Sequence, residues 1–274
     1  MTVAPTEAFL EPAAIRGHLG DAIVGRLTSL EVAPVLPSTN QVLLDASIAP
    51  GELWVCIAEH QTAGRGRRSR SWIAPPRSGL CMSIGYGFTK TPANLAALTL
   101  AMGVCAAEVL ARAGAVAVQL KWPNDLISGA RKLGGILTEV SGDAHAAPIV
   151  VVGLGVNLAL PPAGLALDES QAALPIDLAS LCAAAPAPSV LAAALIDAMG
   201  TALLHYGDTG FEPFAARFAA LDALTGQAVE FDGAGGKQRG VAGGITGDGS
   251  LRVLTGSGES TVMAGDVSLL RPAP

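Results

Sequence analysis

The sequence offers little to conventional metal chemistry. Its 274 residues include four cysteines and four histidines. Cys56, Cys81, Cys105 and Cys182 lie far apart, mostly in apolar runs, and no C-x-x-C spacing pairs them for zinc or redox work. They read as small buried hydrophobes of a reducing compartment. His18, His60, His145 and His205 are as scattered, so no metal site is built from His or Cys. Positive charge is scarce too: 17 Lys and Arg stand against 23 Asp and Glu, for a net charge of −6. Such a molecule repels polyanions, which excludes nucleic-acid binding through a broad basic surface.

The N-terminal stretch MTVAPTEAFLEP has no basic residue ahead of its apolar part, unlike a secretory signal, so a cytoplasmic location is expected. The long uncharged run 146–167 is interrupted by Asn157, Pro161, Pro162 and several glycines. It reads as a buried strand followed by a loop, not as a membrane span. A chain of this length predicts one large domain and a smaller one.

Against that scarcity, AGRGRRSRSW (63–72) packs four of the thirteen arginines into six positions. It follows WVCIAEHQ (54–61), which reads as a strand, so the loop leaves a rigid edge. Its glycines let backbone approach a ligand, and guanidinium groups bind carboxylate or phosphate with two parallel hydrogen bonds. GRGRRS lacks the third glycine of a dinucleotide fingerprint, and GAGGKQ (233–238) has the wrong spacing for a P-loop. A solvated basic face is the plain alternative, but the interleaved Gly64, Gly66 and Trp72 argue for an anion site. Further on, LKWPNDL (120–126) sets Lys121 at a strand end and Asn124 and Asp125 in a turn, offering a cation for phosphate and a carboxylate for Mg²⁺. Lys132 then opens a strand whose LGG leaves bare backbone for a ligand.

Along the chain, the pattern predicts a helix and its exit over 12–30, a strand over 79–88, and a buried helix over 91–114 with Thr91 as cap. Strands follow at 116–122, 132–142 and 147–160, with ISGAR (127–131) as the tip between the first two. Helical spacing returns over 188–206 and 211–224, with a break at 207–210. Past residue 226, short segments separated by glycine-rich turns predict a small antiparallel barrel or sandwich.

PSTN (37–40), AEHQTAGRGRRSRSW (58–72), KWPND (121–125), RKLGGIL (131–137) and GLGVNL (153–158) resemble, in this order and at these separations, the biotin protein ligases, over about residues 35–270. The resemblance implies an α/β fold: a mixed central β-sheet flanked by helices, of the class II synthetase and biotin–lipoate ligase kind, over 1–223, then a small SH3-like β-barrel over 224–274. It implies ATP and biotin as substrates, with Mg²⁺, and a two-step reaction. Biotin's carboxylate attacks the α-phosphate of ATP to give biotinyl-5′-AMP and pyrophosphate; a lysine of the biotin carboxyl carrier protein of a carboxylase such as acetyl-CoA carboxylase then displaces AMP. Both steps build charge on oxygen and call for fixed cations and N–H donors more than for a general base.

By the same resemblance, Ser38, Thr39 and Gln61 hold the ureido ring, with Asn40 shaping the turn beside them. Gly64, Arg65, Gly66 and Arg67 wrap the biotin carboxylate and the adenylate phosphate. Arg68, Arg70 and Trp72 face the nucleotide, Trp72 as a wall beside adenine. Lys121, Asn124 and Asp125 serve the ATP phosphates, Asp125 also Mg²⁺. Lys132 contacts carboxylate and α-phosphate, Gly135 lines the biotin pocket, and Asn157 faces the nucleotide; Arg67, Lys121 and Lys132 are the catalytic candidates. Ser69 stands where the family's loop has glycine, and mutual repulsion of the loop's charges predicts mobility without ligand. Thirty-seven residues before Ser38 leave no room for a winged helix, so no DNA partner is expected, no membrane partner either, and a monomer or weak homodimer. The alternatives are a lipoate or octanoate ligase of the same fold and a non-catalytic anion-binding protein.

Overall fold

The structure, a computed structural model, describes residues 9–142, 147–161, 174–233 and 236–270. His145, and part of the loop expected after the strand in 147–160, lie outside these residues. The first half builds a seven-stranded sheet in the order β1-β2-β3-β7-β6-β5-β4. Its strands are β1 (Leu27–Leu36), β2 (Leu53–Gln61), β3 (Gly79–Gly87), β4 (Val118–Lys121), β5 (Asp125–Ser128), β6 (Arg131–Ser141) and β7 (Ile149–Asn157). β1 and β2 run parallel and every other neighbour is antiparallel, so the sheet is mixed as expected.

One face of the sheet is covered by helices and the other is left partly open. Helices α1 (Pro12–His18), α2 (Asp21–Val24), α4 (Leu98–Arg112), α5 (Leu178–Leu181), α6 (Pro188–Thr209) and α7 (Glu212–Leu221) share one large core with Leu80, Met82, Ile84, Val152, Leu154 and Val156 of the central strands. Alternation sends the intervening residues to the opposite face. There the short helix α3 (Thr39–Leu44) packs Leu43 on Cys56 and Val151, with Ile48 beside them. α6 is long and apolar enough to cross a membrane by length and composition; here it packs on α1, α2, α4 and β3.

The second sheet comprises β8 (Ala228–Gly233), β9 (Gly236–Ile245), β10 (Leu251–Thr255), β11 (Gly258–Val262) and β12 (Val267–Leu269), in the antiparallel order β11-β10-β9-β8-β12. Short strands and glycine turns suit the small C-terminal unit expected. Among the described residues no ladder joins β11 to β12.

Four expectations change. The helix expected over 12–30 splits at Leu19 and Gly20 and ends at Val24 ahead of Gly25, and β1 takes up the residues from 27 onward. The helix expected from Thr91 begins at Leu98, where the Asn94 side chain accepts from the Ala97 N–H; Thr91 caps nothing. A further strand, β5, follows Lys121 and takes in Ile127 and Ser128 of the expected ISGAR tip, so Gly129 and Ala130 alone turn β5 into β6. α6 runs through Gly207 and stops at Gly210, whose φ of +59° suits glycine.

Candidate active site

Cross-strand registry decides what the open face presents. One row crosses the sheet as Lys121, Asp125, Gly135, Gly155, Cys81 and Ala58. The next runs Leu137, Gly153, Ser83 and Cys56. Small residues thus line the middle of the sheet and charge sits at one margin. The glycines are needed: a Cβ at Gly155 would lie 2.5 Å from the Trp72 ring, and one at Gly153 only 2.2 Å from Asn40 Oδ1. The removed side chains open a cleft of about 1080 Å³, counting its mouth.

The arginine loop roofs this cleft. Trp72 N–H donates to Gly64 O at 2.9 Å, and Gly66 N–H to Arg70 O at 2.7 Å, closing residues 64–72 into a small hairpin. A Cβ at Gly64 would sit 2.4 Å from Trp72 O, so that position requires glycine. At its tip, Arg68 and Ser69 have φ of 54° and 59°, in the left-handed region that glycine enters without strain. The repulsion expected among the arginines is offset by carboxylates. Arg65 pairs with Glu139 at 2.9 Å, Arg70 with Asp266 at 2.8 Å, and Arg68 with both Asp232 and Asp266.

At one end of the cleft the groups are neutral. Ser38 caps α3, its Oγ accepting from Gln41 N–H, while Thr39 N–H donates to Gln61 Oε1 at 2.7 Å. Asn40 is buried and donates to Leu137 O and to Glu139 Oε2.

At the other end cations converge. Lys132 Nζ lies 2.7 Å from Asp125 Oδ1 and 6.0 Å from the Trp72 ring centre. Burial pushes the Lys121 ammonium below the ordinary lysine range; Lys132 and Arg70 add to the effect and Asp125 opposes it. Burial likewise lowers Arg67, whose guanidinium donates to Asn124 Oδ1 at 3.3 Å and to Gly265 O at 3.4 Å. Asn124 is braced in turn by Ile136 O at 2.8 Å.

Of the sequence-predicted residues, Ser38, Thr39, Asn40, Gln61, Arg65, Gly66, Arg67, Arg70, Trp72, Lys121, Asn124, Asp125, Lys132 and Gly135 all line this one cleft. Three do not. Gly64 serves the loop's closure. Arg68 turns outward to the second sheet. Asn157 is a buried amide donating to Lys132 O and Ile176 O, a brace for the lysine's strand. Trp72 is set over Gly155, between the two ends of the cleft. Sequence reasoning missed Ser83, Glu139, Gly153 and Gly155. Their signal was period-two patterning: small or polar residues at 81, 83 and 85 against Leu80, Met82 and Ile84, and glycines two apart in β7.

No group of three or more His, Cys, Asp or Glu side chains able to hold a metal occurs among the described residues. What the cleft can do is bind an anion beside a neutral, hydrogen-bonding group and stabilise charge that develops between them.

Comparison with known proteins agrees. Residues 32–157 match the family model for the biotin/lipoate A/B protein ligase family, and residues 225–270 that for the biotin protein ligase C terminal domain. The chain is 34% identical to the bifunctional ligase/repressor BirA of Escherichia coli K12, over 97% of its own length and 82% of that protein's. It is 32% identical to the biotin--[acetyl-CoA-carboxylase] ligase of Mycobacterium tuberculosis, covering 96% and 98% of the two chains. The biotin protein ligase from Aquifex aeolicus, solved in complex with biotin and ATP, superposes with a TM-score of 0.73 at 25% identity, over 90% of this chain and 99% of that one.

Proposed function

The chain belongs to the biotin/lipoate A/B protein ligase family, and from that premise we propose that it is a biotin protein ligase. It joins biotin to ATP as biotinyl-5′-AMP with loss of pyrophosphate, then gives the biotinyl group to a carrier-protein lysine. One observation carries this reading: a neutral end (Ser38, Thr39, Gln61) and a cationic end (Arg67, Lys121, Lys132) share a single cleft. The cyclic urea of biotin needs the first, and the junction of carboxylate and α-phosphate needs the second.

In the first step a biotin carboxylate oxygen attacks the α-phosphorus as the bond to the β-phosphate oxygen breaks, and pyrophosphate leaves with that electron pair. Lys132 and Arg67 stand where charge builds on the non-bridging oxygens, each such donor being worth about 3 kcal/mol. Trp72 backs the junction and not the adenine, given its place between Gly155 and Lys132. In the second step the neutral ε-amine of the acceptor lysine attacks the acyl carbon, AMP departs, and the amine's extra proton passes to solvent. Asp125, the carboxylate that lines the cleft and pairs with Lys132, would hold Mg²⁺ together with the nucleotide's own oxygens. The ion's chemistry there is neutralisation of phosphate charge.

The acceptor is the carboxyl carrier protein of a biotin-dependent carboxylase, the catalytic unit runs to residue 223, and the protein works in the cytoplasm. Lipoate and octanoate carry no urea to use the hydrogen-bonding capacity that Ser38, Thr39 and Gln61 offer at the neutral end, which favours biotin. The test is to incubate the protein with ATP, Mg²⁺ and one acid at a time, following pyrophosphate and the mass of the adenylate. Product with biotin alone is expected; product with lipoate or octanoate, or none with any acid, contradicts the assignment.

A further inference from the structure

The neutral end of the cleft hangs from a carboxylate that the chemistry of the reaction does not itself need. Glu139 Oε2 accepts from Asn40 Nδ2 at 2.8 Å and from Arg65 Nη2 at 2.9 Å. Asn40 Oδ1 meets Ser83 Oγ at 2.6 Å, and Ser83 Oγ meets Thr39 Oγ1 at 2.6 Å. Ser83 is fully buried, and Asn40 and Thr39 nearly so.

The protons in this chain can be ordered without seeing them. Asn40's other amide atom faces the Leu137 carbonyl and the Glu139 carboxylate, which only accept, so it is the NH₂. Asn40 Oδ1 is then an acceptor, and the single Ser83 proton goes to it. Thr39 Oγ1 also reaches Gln61 Oε1 at 3.2 Å, but that oxygen already accepts Thr39 N–H at 2.7 Å; the shorter 2.6 Å contact with Ser83, whose own proton is spent on Asn40, takes the Thr39 proton. Every donor points toward Glu139. Thr39, which lines the cleft, offers it an oxygen lone pair.

We propose that Glu139 is a positioning residue that orders the Thr39–Ser83–Asn40 relay, making Thr39 a hydrogen-bond acceptor for a ligand N–H and tying that end of the cleft to the loop residue Arg65. The inference rests on the biotin reading, since a cyclic urea presents such an N–H. Without the carboxylate only the longer 3.2 Å bond to Leu137 O holds the Asn40 amide against turning over; once it turns, the Ser83 proton swings to Thr39, and the Thr39 proton then faces the ligand's.

Calorimetric titration with biotin and, separately, ATP tests this in Glu139→Ala and Glu139→Gln. The amide oxygen of glutamine still accepts from Asn40, so Glu139→Gln should bind biotin within threefold of the parent. Glu139→Ala should weaken biotin at least tenfold, raise KM for biotin far more than it lowers kcat, and leave ATP affinity within threefold. Ser83→Ala removes the middle hydroxyl without touching Glu139, and should reproduce the loss even if Glu139→Ala folds poorly. Unchanged biotin affinity in Glu139→Ala or Ser83→Ala overturns the relay. So does Glu139→Gln binding as weakly as Glu139→Ala, which would make charge and not proton order the cause. If the parent protein itself gives no heat with biotin, the biotin reading falls and takes this inference with it.

Discussion

Lys132 Nζ and Asp125 Oδ1 are 2.7 Å apart, from neighbouring antiparallel strands. The pair holds the lysine at the cationic end of the cleft, so the two residues act together. Lys132→Ala, like Arg67→Ala, should slow adenylate formation a hundredfold or more, about 3 kcal/mol, with the fold intact. Asp125→Ala added to Lys132→Ala should cost less than the product of the single effects, because interacting sites are not additive. Pyrophosphate release by the four proteins of the cycle checks this; strictly multiplicative losses would show that the pair is not a unit.

Gly153 and Gly155 open the cleft by lacking side chains. Gly153→Ala would press on Asn40 and Gly155→Ala on Trp72, each at well under 3 Å. Both should weaken biotin tenfold or more while the circular-dichroism spectrum stays that of the parent. Titration with biotin decides, and normal affinity in both would mean that neither neighbour matters to the ligand.

Ser69 sits at φ 59° beside Arg68 at 54°. A β-branched residue there is strained by about 1–2 kcal/mol. Ser69→Val should lower the melting temperature and impair adenylation, while Ser69→Gly should match or exceed the parent in both. Thermal scans and rates read this directly.

Burial lowers the Lys121 pKa from its ordinary 10.5. Its positive charge is therefore lost earlier than that of a free lysine as pH rises, and KM for ATP should climb on the alkaline limb below that value. The native state favours the neutral lysine, so this residue's destabilising contribution is full below its folded pKa and fades as pH rises through it toward the unfolded value. Lys121→Arg should move the alkaline limb to higher pH. A KM limb indifferent to that substitution would remove Lys121 from the phosphate site.

Burial also pushes the thiol of Cys56 up to about 12 and those of Cys81 and Cys105 to about 11. Of the four cysteines Cys182 is the most exposed. A thiol reagent at pH 8 should therefore label Cys182 first in the native protein and the other three only on unfolding, as peptide mass mapping can show.

What the sequence disclosed follows from how local each signal is. The arginine loop and KWPND could be read directly, because guanidinium, lysine and carboxylate groups announce anion chemistry wherever they stand. β1 could not: its burial does not alternate cleanly, and apolar spacing continuous with α1 resembles a helix. Arg68 looked equivalent to its neighbours until the fold brought Asp232 and Asp266 to its side. Asn157 read as a ligand contact in sequence, whereas its amide donors go to Lys132 O and Ile176 O and brace that strand. Glu139 and Ser83 lie 99 and 43 residues from Asn40, and only strand registry brings them together.

The most direct measurement is a crystal structure with biotinyl-5′-AMP bound. The account predicts the ureido ring against Thr39 and Gln61, and the acyl-phosphate junction between Arg67 and Lys132 under the 64–72 hairpin. An adenylate bound outside that cleft, or with its ring at the Lys132 end, would contradict it.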